Sequence, residues 1–121
     1  MSKLVLFLSA IAISSVAAAQ WNPDATINNR ITNVTGTKAD LFAIPDDAGG
    51  MHIVWTDSRN SALTGTDIYY QRILNNGTLA FDSAGILVCN ATGNQSVPSM
   101  VLGRSGAVII AWQDARTSAT T

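Results

Sequence analysis

Apolar positions fall into two regimes along this chain. From Leu4 to Val16 they run almost unbroken, interrupted only by small Ser and Ala residues, behind Lys3 and ahead of Ala17-Ala18-Ala19. A cationic start, an apolar stretch and small residues before a cut are the parts of a secretory signal peptide. Residues 1–19 are therefore read as a signal peptide cleaved between Ala19 and Gln20, so the chain is expected to be secreted or held at the cell surface. The run is shorter than the ~20 apolar residues a bilayer-spanning helix needs, and no membrane span is expected after cleavage.

Beyond Gln20 the apolar positions come in short runs between turn residues. Leu41 to Ile44 and Met51 to Thr56 flank Pro45-Asp46-Asp47-Ala48-Gly49-Gly50, which reads as a hairpin. A polar loop, Asp57 to Thr66, leads into Asp67 to Leu74, rich in β-branched and aromatic residues. Asn75-Asn76-Gly77 then turns the chain, and Thr78 to Phe81 is predicted to return as a short fourth strand. No helical periodicity follows the leader.

The runs repeat. Shifted by 57 residues, positions 31–64 align with 88–121 without a gap, and 11 of the 34 pairs are identical. The identities include Asn33/Asn90, Thr35/Thr92, Gly36/Gly93, Gly49/Gly106, Ile53/Ile110, Trp55/Trp112, Asp57/Asp114 and Arg59/Arg116. Four antiparallel strands in roughly 50 residues, repeated, point to stacked or radial β architecture.

Charge and composition narrow the chemistry. A net charge of −1 with no basic cluster argues against a nucleic-acid surface or an anionic-membrane patch. The single cysteine, Cys89, forms no internal disulfide, and its apolar setting in Gly85-Ile86-Leu87-Val88 reads as a buried small hydrophobe. The single histidine, His52, builds neither a multi-histidine metal site nor a triad with redundancy, and a strand position with one exposed face accounts for it. Asp46, Asp47 and Asp82 lack a dense calcium-loop pattern and read as turn formers. No metal or cofactor is expected. Sequons at Asn33, Asn76, Asn90 and Asn94 coincide with turn chemistry, and Asn33-Val34-Thr35-Gly36 recurs as Asn90-Ala91-Thr92-Gly93.

The most distinctive block is Trp-x-Asp-x-Arg, present as Trp55, Asp57, Arg59 and again as Trp112, Asp114, Arg116. Alternating residues share one side of an extended chain. Arg and Asp beside aromatic rings suit a sugar or carboxylate ligand. They equally suit a packing device in which Trp fills the space between layers and Arg ties the loop to Asp57 or Asp67. Recurrence favours the second reading, since an active site is built once per protein and a packing device once per repeat.

Trp-x-Asp-x-Arg, a polar loop, then Asp67-Ile68-Tyr69-Tyr70-Gln71-Arg72 and the Asn76-Gly77 turn resemble the repeats of secreted bacterial sialidase-like β-propellers. The resemblance covers nearly all of residues 20–121 and implies an all-β fold of antiparallel propeller blades, one complete and its neighbours partial. A β-sandwich is the alternative. In that family several such repeats make one protein, so the chain is expected to be an N-terminal fragment of a longer propeller. Sialidase catalysis draws an arginine cluster, a tyrosine with an acidic partner and an aspartate from several blades. The Ser-x-Asp-x-Gly-x-Thr-Trp box of that family is missing here, and Tyr69-Tyr70 reads as strand packing with one ring inward and one outward. No catalytic residue is assigned, and the ligand is left open.

The implied function is a secreted or cell-surface binding or scaffold module. The alternative is a piece of a propeller glycoside hydrolase or a carbohydrate-binding lectin. The expected partner is an extracellular protein or glycan, with self-association through open strand edges as a further route.

Overall fold

The computed structural model describes residues 22, 24 and 26–116, and it is all-β and antiparallel, with a single 3₁₀ turn at Arg104–Gly106. The signal peptide and its cleavage site lie outside the described residues, as does the end of the second repeat, 117–121.

Six strands form two sheets. The first is an up-and-down meander of β1 (Lys38–Pro45), β2 (Met51–Asp57), β3 (Asp67–Ile73) and β4 (Ile86–Cys89), in the order β1-β2-β3-β4. The second is a hairpin of β5 (Gln95–Leu102) and β6 (Val108–Asp114). The described residues close neither a barrel nor a propeller.

Turn chemistry sets the first hairpin. The Asp46 carboxylate accepts the backbone N–H of Ala48 at 2.9 Å and of Gly50 at 2.5 Å, while Asp46 N–H donates to the Gly50 carbonyl. The fourth strand is not Thr78 to Phe81. That segment makes one bridge, Leu79 to Ile73, and then leaves the sheet. Buried Gln71 takes over its backbone, accepting Phe81 N–H and donating to the Asp82 carbonyl at 2.9 Å. An Asp82 turn follows, and Ile86–Cys89 pairs with the Ile68–Tyr70 half of β3.

β2 is buried along nearly its whole length, as its near-continuous apolar run allows. On one face Ile53 and Trp55 pack with Tyr69 and Ile73, beneath Ile31 and Leu79. On the other, Val54 and Ile68 meet Met100 of the hairpin, with Ile44, Val88, Ile110 and Trp112 around them. This second cluster joins the sheets. Backbone bonds reinforce it: Gly93 N–H to Thr64 O at 3.0 Å and Gln95 N–H to Thr66 O at 2.8 Å.

Positions 57 apart share backbone geometry. Asp40 and Val97 both have φ of 48°, each inside a register break of the first strand of its hairpin, between Ala39 and Phe42 and between Ser96 and Ser99. Positive φ strains a β-branched residue, and the bulge carrying Val97 is followed by Pro98, a residue that sheets tolerate at bulges. The Asp40 carboxylate spans the two sheets, accepting Thr56 Oγ1 at 3.1 Å and Val97 N–H at 3.2 Å.

Two readings of single residues change. His52 does not face solvent: it is 3 % exposed, with Nδ1 at 2.6 Å from the Tyr70 hydroxyl. Cys89 is half-buried at the margin of the inter-sheet cluster rather than within it.

Replacing Ile68, which has no exposed surface, with alanine is expected to lower unfolding free energy by roughly 2–5 kcal/mol in a denaturant titration. The same truncation at Ile109, 61 % exposed on the hairpin's outer face, is expected to change it by less than about 0.5 kcal/mol.

Candidate functional site

The repeated motif sits where β2 runs into the Asp57–Thr66 loop. Asp57 is its centre and is fully buried. Trp55 Nε1 donates to Asp57 Oδ2 at 2.9 Å, the Arg59 guanidinium donates to the same oxygen at 2.6 Å, and Arg59 N–H donates to Oδ1 at 2.9 Å. Lys38, from the start of β1, brings its ammonium to 3.3 Å from Oδ2. Burial acts to raise the Asp57 pKa, but bonds from Arg59 and Trp55 overcome it and hold the carboxyl at about 2.

The Arg59 guanidinium carbon lies over the Tyr69 ring, 3.6 Å from its centroid. Burial acts to lower its pKa, and the neighbouring Asp57 and Asp67 carboxylates more than compensate. Asp67, opposite Asp57 in the β2–β3 register, is buried and accepts Thr64 Oγ1 at 3.1 Å. Arg59 Nε and Asp67 Oδ1 are buried in this corner without hydrogen-bond partners.

The second copy is built alike but lies nearer the surface. Arg116 clasps Asp114 through Nε at 2.7 Å and through Nη2, and Arg116 N–H donates to Asp114 Oδ1 at 2.9 Å. These bonds hold the Asp114 carboxyl at about 2. Trp112 Nε1 donates to Gln95 Oε1 at 3.1 Å, not to the aspartate. Gln95 occupies the position equivalent to Lys38, and the two do one job. Lys38 Nζ gathers the carbonyls of Val34, Thr35 and Gly36, while Gln95 Nε2 gathers those of Ala91 and Gly93. Both close the recurring Asn-x-Thr-Gly turn. Their shared role escapes an identity count because the residue types differ; what marks them is a long donor side chain two residues after the turn glycine.

The structure therefore unites Trp55, Asp57, Arg59 and Asp67 in one corner and Trp112, Asp114 and Arg116 in another. A third polar group was not singled out by the motif. Arg72 reaches across from β3 to Asp46, with Nε at 2.9 Å and Nη2 at 2.7 Å from Oδ2. Beside it, burial and then the Arg72 cation hold the His52 imidazole below its usual pKa. Among the described residues no pocket opens at any of these groups, and no cluster of three or more metal-ligating side chains forms.

Comparison with known protein families, with curated proteins and with solved structures finds no match to this chain.

Truncating Asp57 to alanine strands Arg59 and Lys38 and is expected to lower unfolding free energy by roughly 3–5 kcal/mol. Truncating the more exposed Asp114 is expected to cost clearly less in the same titration. Because the folded Asp57 pKa of about 2 lies below its ordinary 3.8, its stabilisation is complete above pH 3.8 and is lost as pH falls toward 2. Denaturation midpoints measured across that window are expected to drop in the wild type and to drop less in Asp57→Ala.

Proposed function

We propose that the chain supplies repeat blades to an exported β-propeller that acts as a binding or scaffold module, with no catalysis carried by this segment. The observation that supports this reading is that the arginine of each repeat is committed to its own aspartate, in the first repeat within the buried interior. Asp57 and Asp114 are each clasped by the arginine two residues on, and the Asp57 group is buried. A ligand-binding arginine must present free donors to solvent, whereas Arg59 is stacked on Tyr69 and paired with Asp57.

Face-to-face sheets also occur in β-sandwiches. Blades are favoured because the hairpin β5–β6 repeats β1–β2 with the same bounds, one period of 57 residues on. In a stacked repeat each unit buries one face against the next. Here the face bearing Ile110 and Trp112 covers Val54 and Ile68.

Two measurements test the proposal. Expressed with its leader in a bacterial host, the chain is expected in the exported fraction with Gln20 as its first residue by mass spectrometry; a retained Met1 in the cytoplasm overturns export. On a glycan array the exported chain is expected to retain no sugar. Retention abolished by Arg59→Ala or Trp55→Phe, with folding intact by circular dichroism, overturns the scaffold reading in favour of a lectin.

A further inference from the structure

His52 is the chain's single histidine, and the repeat does not account for it. One period on, the same strand position carries Ile109, apolar and exposed, so the recurring architecture does not call for an imidazole at 3 % exposure. By alternation His52 shares the face of Val54, the face that meets the β5–β6 hairpin. On β3 the Tyr70 hydroxyl lies 2.6 Å from Nδ1, and Tyr70 is itself held against Phe81, ring centroids 5.8 Å apart. Arg72, the register partner of His52 on β3, turns Nε and Nη2 to Asp46.

The charges that act on the ring are few. Arg72 opposes its protonation, while Asp46 and Asp47 of the β1–β2 turn favour it. On β1 the register partner is Ile44, and the charged residues, Lys38 and Asp40, lie at the other end of the strand beside Asp57 and Thr56. β5 carries no charged residue, the one on β6, Asp114, is taken by Arg116, and Arg104 in the turn between them is exposed. A phenol is the stronger acid of the touching pair and an imidazole nitrogen the stronger base. The Tyr70 O–H therefore donates to Nδ1, and the neutral ring keeps its proton on Nε2. A second proton must go to Nδ1, where it takes the lone pair Tyr70 uses and sets a new cation directly across from Arg72.

We propose that His52 is an acid-sensitive latch: neutral, it ties β2 to Tyr70 of β3 on the face the hairpin covers, and protonated in a mildly acidic medium it releases Tyr70 and loosens the joint between the two sheets. Burial and the Arg72 cation together outweigh the two carboxylates and lower the folded pKa. The latch therefore stabilises fully above the ordinary histidine value of 6.5 and is lost as pH falls from there through the folded value. Asp46 and Asp57, held below 3.8, titrate beneath this window, and there is no second histidine to share it. The latch needs only the β2–β3 pair and holds with or without a propeller.

The test is the unfolding equilibrium of the full chain in denaturant from about pH 7.5 to about pH 5, with the folded pKa of His52 read from its ring protons by nuclear magnetic resonance. The wild type is expected to titrate below 6.5 and to show an unfolding constant that rises by up to about tenfold per pH unit below that value. His52→Gln, whose carbonyl still accepts from Tyr70 but takes no proton, is expected to flatten the profile. Should it fail to fold, His52→Ile, the residue type of the second copy, takes its place. Cys89, at the margin of the inter-sheet cluster, reports on the joint. Its alkylation rate in wild type relative to the His52 variant at equal pH, a ratio in which the thiol's own ionisation cancels, is expected to grow at least about threefold across the range. Tyr70→Phe removes the donor that favours the neutral ring and is expected to raise the His52 pKa. A wild-type value at or above 6.5, a slope that persists in the His52 variant, a constant alkylation ratio, or a pKa that stays or falls in Tyr70→Phe overturns the proposal.

Discussion

A carboxylate removed from water must have its oxygens occupied by donors, and the first repeat is organised around meeting that demand at Asp57. The donors come from three directions: Trp55 from within β2, Arg59 from the loop beyond it, and Lys38 from the neighbouring strand. Each then constrains something else. Arg59, turned back to the carboxylate, is held over the Tyr69 ring of β3. Lys38, fixed at one side of Asp57, has its remaining donors directed at the carbonyls of residues 34–36. The turn is drawn so close that a Cβ on Gly36 would lie 2.9 Å from the Arg59 backbone, at a φ of 102° that glycine alone tolerates well. In the first copy one buried charge thus ties tryptophan, aspartate, arginine and the turn glycine into a single arrangement.

Much of this architecture is visible in the chain itself, for identifiable reasons. Turn residues announce themselves locally, so the Asp46–Gly50 hairpin and the strands on either side of it were legible. The 57-residue spacing exposed residues that act by geometry, because geometry tolerates no substitution. Where different side chains satisfy one demand, as Lys38 and Gln95 do, identity is lost while the role persists. The fourth strand was misplaced for another reason. Thr78 to Phe81 has the right residues and follows a proper Asn-Gly turn, but Gln71, buried in the middle of β3, captures the backbone of Phe81 and Asp82 and displaces the pairing to Ile86–Cys89. A side chain reaching ten residues away leaves no periodic trace. The burial of His52 is hidden in the same way, because it involves Tyr70, a diagonal neighbour on the adjacent strand 18 residues away in sequence.

The two copies of the motif also show how little of a strand's environment its own residues determine. Met-His-Ile-Val-Trp-Thr-Asp and Val-Ile-Ile-Ala-Trp-Gln-Asp are close in pattern, yet the first is buried on both faces and the second alternates. The difference lies in what covers them. Val54 is buried because the β5–β6 hairpin lies over it, while its equivalent Ala111 lies on the uncovered face. Burial at this position is therefore a property of stacking, and the stability of each unit is borrowed in part from the next.

The arginine recurs even where its carboxylate is not deeply buried. Asp114 is partly exposed and Trp112 bonds Gln95 rather than the aspartate, so neither burial nor the indole requires Arg116 there. What survives is the join at the turn: the Arg116 guanidinium and its backbone N–H both still donate to Asp114, and the Ala115 N–H donates to the Asn94 carbonyl, as Ser58 does to Thr37 in the first copy. The constant element of the repeat is the join between the end of one strand and the turn before its partner. The aspartate and arginine hold that join, and the degree to which they are buried follows from the layer above them.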